Sequence, residues 1–145
     1  MPQLTTTVEI AAGADVVFRW LIEPDRLARW IRGFESSEAL TEGGARLGAR
    51  SRDTLREGGR SLVAETEIVA FEPDRLMKVR IEAGGMHSLD TYRLAPRGSG
   101  TELTYTSDVQ LTGGMRLMTP LIGRQLRARA ERDLATLKRE VESGH

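Results

Sequence analysis

Two aspartates, Asp53 and Asp90, and two tyrosines, Tyr92 and Tyr105, are the residues of this chain whose types and spacing suit acid–base chemistry or ligand orientation. Ser51, Thr66, Ser88 and Ser107 share their alternation, which would bring all eight to one face of a sheet. Two carboxyls in apolar surroundings, one holding its proton through desolvation, could orient a ligand or act as acid and base in an aldol-type dehydration. The structural alternative is that each lies near a strand end, meets water, or pairs with Arg124 or Arg127. Tyr92 and Tyr105 fill volume and also offer a hydroxyl, either to the core or to a ligand carbonyl.

Other reactive types are scarce. His87 and His145 are the sole histidines; alternation turns His87 outward and His145 is terminal, so neither a histidine metal cluster nor a histidine-based triad is expected. The absence of cysteine excludes thiol chemistry and disulfides. Glycine pairs at 43–44, 58–59, 84–85 and 113–114 lack the context of a phosphate-binding loop and read as turns. Neither a metal nor a cofactor is expected.

At 145 residues the chain suits one domain, 1–145, large enough to bury its own core. Lys+Arg and Asp+Glu are both 21, so no net field draws it to nucleic acid or anionic lipid. Its N-terminus lacks the blocks of a signal peptide, and no apolar run reaches the ~18 residues of a membrane span. The expectation is a cytoplasmic protein without membrane insertion or nucleic-acid partner. A homodimer is compatible with this composition.

The elements that position these residues follow from turn and periodicity signals. Strands are expected over 5–11, 34–41, 45–55, 60–71, 76–83, 86–95 and 102–111, cut by the glycine pairs and by Pro73-Asp74 and the 96–100 turn. Short reversals make them an antiparallel meander. Two short helices, 14–22 and 25–30, interrupt after the first strand, the second behind Pro24. Thr119 is a candidate N-cap and Pro120 a first helical residue for a helix over 120–142, roughly 35 Å long. Ile122, Leu126, Ala130, Leu134, Leu137 and Val141 form its apolar stripe, which can lie across a sheet.

Alternation assigns faces. Arg46, Arg50, Arg52 and Arg56 share a wet face, leaving Leu47, Ala49, Ser51, Asp53 and Leu55 inward. Ala64, Thr66 and Ile68 are inward on the next strand, Met77, Val79 and Ile81 on the one after, and Leu103, Tyr105, Ser107, Val109 and Leu111 on the last. Ser88, Asp90, Tyr92 and Leu94 share the remaining inner parity. Met86, Met115 and Met118 are read either as an adaptable lip or as core filling, and Trp30 as packing against the sheet edge in preference to stacking on a substrate.

The order of elements resembles the helix-grip fold of the START-like, or SRPBCC, superfamily. The resemblance rests on 21–30, with its apolar helix end, Pro24 and Trp30; on 45–50; and on 71–76, 92–96 and 100–103. It covers about 5–142 and looks closest to two groups, one polyketide cyclase/dehydrase-like and the other similar to the G-subunit of carbon monoxide dehydrogenase. It implies an α+β domain, a seven-stranded antiparallel sheet with two short helices after strand 1 and a long C-terminal helix packed across it, enclosing a cavity for a hydrophobic small molecule or lipid.

The expected ligand-binding set is Leu47, Ser51, Asp53, Thr66, Ile68, Val79, Ser88, Asp90, Tyr92, Tyr105, Ser107, Met118, Ile122 and Leu126, with Asp53 and Asp90 as weak catalytic candidates. Binding by burial of apolar surface, at about 25 cal/mol per Å², is the leading expectation. A cyclase/dehydratase-like enzyme using the same pocket and a non-catalytic protein-interaction module are the alternatives.

Overall fold

The computed structural model describes residues 3–143. Seven strands, β1 (Gln3–Ile10), β2 (Phe34–Ala39), β3 (Arg50–Glu57), β4 (Arg60–Glu72), β5 (Leu76–Ala83), β6 (Met86–Arg97) and β7 (Gly100–Leu111), form one antiparallel sheet. Their order is β1-β7-β6-β5-β4-β3-β2, a meander in which the first strand pairs with the last. Helices α1 (Ala14–Ile22) and α2 (Pro24–Trp30) follow β1, and α3 (Thr119–Glu142) closes the chain. This is the α+β helix-grip arrangement expected from the sequence.

Most boundaries shift by one or two residues, and two departures from expectation go further, the late start of β3 and the entry into α3. The strand expected from residue 45 begins only at Arg50, because 45–49 form a turn in which Gly48 takes φ +87, a conformation that breaks an extended run. Thr119 is not an N-cap: a 3-10 helix, Gly113–Met118, runs straight into α3, and the Thr119 hydroxyl donates back to the Arg116 carbonyl at 2.7 Å. Met118 holds the cap position without a side-chain bond.

Two β-bulges re-phase the inner face. In β4 the register slips between Ile68 and Ala70, so that Ile68 opposes Val79 and Phe71 opposes Met77, all inward. Phe71 thereby reaches Phe18 of α1, ring centroids 5.5 Å apart. In β2 a slip between Phe34 and Ser36 sets Phe34 opposite Leu55 and Ser37 opposite Asp53. Gly33 just before it takes φ +83, and a Cβ there would lie 2.2 Å from the Arg56 carbonyl oxygen, so only glycine admits the close crossing onto β3.

The core sits at one end of the sheet. Ile10, Val17, Phe18, Trp20, Leu21, Met77, Leu94, Leu103, Leu134, Leu137 and Val141 pack there as one cluster. The C-terminal half of α3 is bound into it, and Lys138 and Glu142 tie it to the Glu9 carbonyl and the Ala11 amide. The N-terminal half is not: Ile122, Leu126 and Ala130 of the expected stripe are only half-buried. That half of α3 spans a space instead of a core.

Candidate functional site

The space lies between the inner face of the sheet, α2 and α3. A cavity of about 210 Å³ is walled by Leu55, Ala64, Ile81 and Val109 from the sheet, Trp30 from α2, and Leu126, Ala130 and Leu134 from α3. A second chamber of about 410 Å³ continues toward α1, against Leu21, Ile22, Ile68 and Val79. Ile31, Phe34, Asp53, Thr66, Ile81 and Tyr92 border both. The lining is mostly aliphatic and aromatic, with a small polar set, the composition of a small-molecule site.

Strand alternation brings most of the expected set together here. Asp53, Thr66 and Tyr92 line both chambers; Ser88, Asp90, Tyr105, Ser107 and Leu126 line the first; Ser51, Ile68 and Val79 line the second. Three residues fall elsewhere. Leu47 is 62% exposed because its segment is a turn, not a strand, and alternation does not apply to it. Met118 is 48% exposed in the 3-10 helix, and Ile122 borders neither chamber because α3 faces the cavity through Leu126 and Ala130.

Asp90 is the electrostatic centre of the first chamber. Its Oδ1 accepts from Ser107 Oγ at 2.7 Å and its Oδ2 from the Tyr105 hydroxyl at 2.8 Å. Burial pushes the Asp90 carboxyl above the usual carboxylate range, and the neighbouring hydroxyls of Ser107, Tyr105 and Ser88 offset part of that rise. Asp53 is held differently, accepting from Ser37 Oγ at 2.6 Å and Ser51 Oγ at 3.0 Å, with Ser51 bonded on to Thr66 at 2.7 Å. Neither aspartate pairs with Arg124 or Arg127; both are satisfied by hydroxyls of their own or neighbouring strands.

Tyr92 and Tyr105 stack obliquely, ring centroids 5.0 Å apart. Their hydroxyls have different roles. Tyr105 spends its proton on Asp90, whereas the Tyr92 hydroxyl has no hydrogen-bond partner among the described residues. Burial, with the charges of Asp90 and Asp133 nearby, pushes the Tyr92 phenol far above its ordinary range, so it stays protonated and able to donate.

Asp133 and Arg129 of α3 complete the polar lining and were not among the expected residues. Asp133 is buried, accepts the Arg32 amide at 3.3 Å, and lies 3.8 Å from Arg129 Nε; burial raises its proton affinity more than these partners lower it. Arg129 also bonds the Arg32 carbonyl at 2.9 Å and pairs with Glu57. A signal existed: Asp133 is seven residues beyond Leu126 and Arg129 three, so both fall on the stripe by helical period. Trp30 also lines the cavity, its Nε1 donating to the Trp20 carbonyl at 2.9 Å.

His87 points outward, its Nδ1 3.1 Å from Glu82 Oε1; His145 lies outside the described residues. Among the described residues no cluster of three His, Cys, Asp or Glu is arranged to hold a metal ion. No helix among them is long and apolar enough to cross a membrane.

Comparison with known proteins bears on the same architecture. A family model described as polyketide cyclase / dehydrase and lipid transport matches residues 1–142. Among solved structures, a conserved protein from Geobacillus kaustophilus superposes with a TM-score of 0.82 at 19% identity, covering 99% of this chain and 97% of the other. TTHA0849 from Thermus thermophilus gives 0.77 at 21%, covering 98% of each chain. DynU16, a protein in the dynemicin biosynthetic locus, gives 0.73 at 20% over 99% of this chain and 48% of its own. At these identities the likeness is one of fold. No curated protein matches the sequence.

Proposed function

We propose that this chain, which belongs to the polyketide cyclase / dehydrase and lipid transport family, binds a hydrophobic small molecule or lipid between its sheet and α3. The observation that carries this reading is the Tyr92 hydroxyl. Tyr92 lines both chambers, its hydroxyl has no protein partner among the described residues, and the lining of both chambers is mostly apolar. Asp90, Tyr105 and Ser107 are spent on one another, Asp53 and Thr66 bond to Ser37 and Ser51, and Asp133 is held by the Arg32 amide and Arg129. A ligand would bury apolar surface against Ile81, Val109 and Leu126 and accept one hydrogen bond from Tyr92.

The test is displacement of an uncharged fluorescent apolar probe, paired with native mass spectrometry of the purified protein to identify anything it carries. Leu126→Trp fills the cavity from a half-buried position. It is expected to lower probe affinity at least tenfold without loss of fold. Unchanged affinity in that variant would remove the cavity as the binding site.

A second reading is supported by Asp90, whose raised proton affinity inside the cavity is the property of a general acid. In this reading the protein is a cyclase/dehydratase-like catalyst, a role that fits the family and the biosynthetic locus of DynU16. Its expectation is turnover that Asp90→Asn abolishes while probe binding persists. Equal turnover in that variant removes it.

A further inference from the structure

The N-terminal end of α3 carries a feature that ligand binding does not use. Seven large hydrophobic side chains are exposed among the described residues, and four of them, Met115, Leu117, Met118 and Leu121, fall within one seven-residue stretch. Leu117 is 89% exposed and Leu121 50%. Such clustering marks an interaction surface, whereas scattered exposed residues do not.

The charge of this stretch is one-sided. Between Asp108 and Glu131 the chain has four arginines, Arg116, Arg124, Arg127 and Arg129, and no acidic residue, although the chain as a whole is neutral. Arg129 is committed to Glu57 and Asp133, and Arg127 donates to the Thr5 carbonyl. Arg116 and Arg124 are exposed and pair with no carboxylate among the described residues. Leu121 and Arg124 are one helical turn apart, so an apolar and a cationic side chain share one face, and arginine can lay its stem along apolar surface while its head reaches an anion.

The patch also borders the cavity. Leu126, further along α3, lines the first chamber. Met115 lies against the β5–β6 turn, where a Cβ on Gly85 would be 3.0 Å from its sulfur, and the next residue, Met86, lines the chamber.

We propose that Gly113–Met118 and the first turns of α3 are a docking surface for an anionic lipid bilayer, with Leu117 and Leu121 entering the interface and Arg116 and Arg124 meeting lipid phosphates. Charge complementarity selects this occupant. A second copy of the chain seated about a two-fold axis would bring the same unpaired arginines toward one another, which like charges oppose. The surface is peripheral and requires no spanning helix, and its use does not depend on which molecule fills the cavity.

Co-sedimentation with phosphatidylcholine vesicles, with and without about one-third phosphatidylglycerol, tests this directly. Binding is expected to the anionic vesicles, to weaken steeply with added salt, and to be lost in the Leu117→Asp/Leu121→Asp double variant. Arg116→Glu and Arg124→Glu should each weaken it about fivefold or more, the equivalent of about 1 kcal/mol per cation at a membrane surface. Arg80→Glu, on the outward face of the sheet and outside both chambers, serves as control and should leave binding unchanged. Equal binding to both vesicle types, binding to neither, or a dimer that Leu117→Asp converts to monomer without vesicle binding would each overturn the proposal. Probe displacement from the cavity is read in a separate assay, so failure here and failure of the cavity reading are distinguishable.

Discussion

Tyr105 of β7 donates its hydroxyl to Asp90 of the neighbouring strand β6 at 2.8 Å, tying a phenol that faces the cavity to a buried carboxyl. Its stacked neighbour, Tyr92, faces the same cavity without a partner among the described residues. The two tyrosines therefore make opposite predictions. Tyr105→Phe leaves a buried carboxyl short of a donor and is expected to cost about 1–3 kcal/mol in urea unfolding. Tyr92→Phe removes a hydroxyl that the fold does not use; stability should stay within about 0.5 kcal/mol while ligand affinity falls roughly two- to tenfold. If Tyr92→Phe destabilises as much as Tyr105→Phe, the anchor role is wrong.

The pH dependence of stability tests the environment of Asp90. Its carboxyl binds a proton more tightly in the folded state than an ordinary aspartate does at 3.8, so the folded state holds that proton over a pH range in which the unfolded chain has lost it. The stability this contributes is full below about pH 3.8 and is lost as pH rises through the folded-state value. Asp90→Asn has no such loss. Measured as unfolding free energy from about pH 4 to about pH 8, the variant should therefore gain on the parent as pH rises. Asp133 is raised in both proteins and cancels in the difference. A flat difference would mean that Asp90 is solvated.

Arg129 should matter more than the arginines of the outer sheet face. It joins α3 to Glu57, to the Arg32 carbonyl and to buried Asp133, so Arg129→Met strips a nearby counter-charge from a buried carboxylate and is expected to cost about 1–3 kcal/mol. Arg52 bridges Glu38 and Glu65 at 3.3 and 3.4 Å in solvent, and Arg52→Met is expected to cost about 0–1 kcal/mol. Chemical denaturation of the two variants in parallel decides the order.

The two halves of α3 should differ in tolerance. Leu137 is fully buried among Ile10, Val17 and Leu103, and Leu137→Ala is expected to cost about 2–5 kcal/mol through lost contacts and an unfilled cavity. Leu126→Ala merely enlarges a space that already exists and should cost far less. Amide exchange is expected to follow the same division, slow at 134–141 and faster at 119–126. Uniform protection along the helix would contradict it.

Much of this was legible in the chain itself, and the reason is geometric. Alternation along β3 through β7 has period two wherever pairing is regular, so Asp53, Thr66, Asp90, Tyr92 and Tyr105 could be assigned to one face before any partner strand was known. Glycine pairs and Pro120 marked the reversals and the start of the final helix through their backbone preferences.

What tertiary structure alone decided lies where local rules are interrupted or need a partner. The bulges in β2 and β4 shift parity by one residue, and they bring Ser37 to Asp53 and Phe71 to Phe18 against simple alternation. Leu47 left the expected set because Gly48 turns the chain before β3 begins. Helical period puts Ile122, Leu126, Ala130, Asp133 and Leu134 on neighbouring faces, but it cannot say which part of that stripe meets protein and which spans an empty space. Only the packed fold could show that Leu134 is buried, that Leu126 roofs a cavity, that Asp133 is drawn inward beside Arg129, and that Leu117 and Leu121 remain exposed, because burial depends on what the rest of the chain brings opposite.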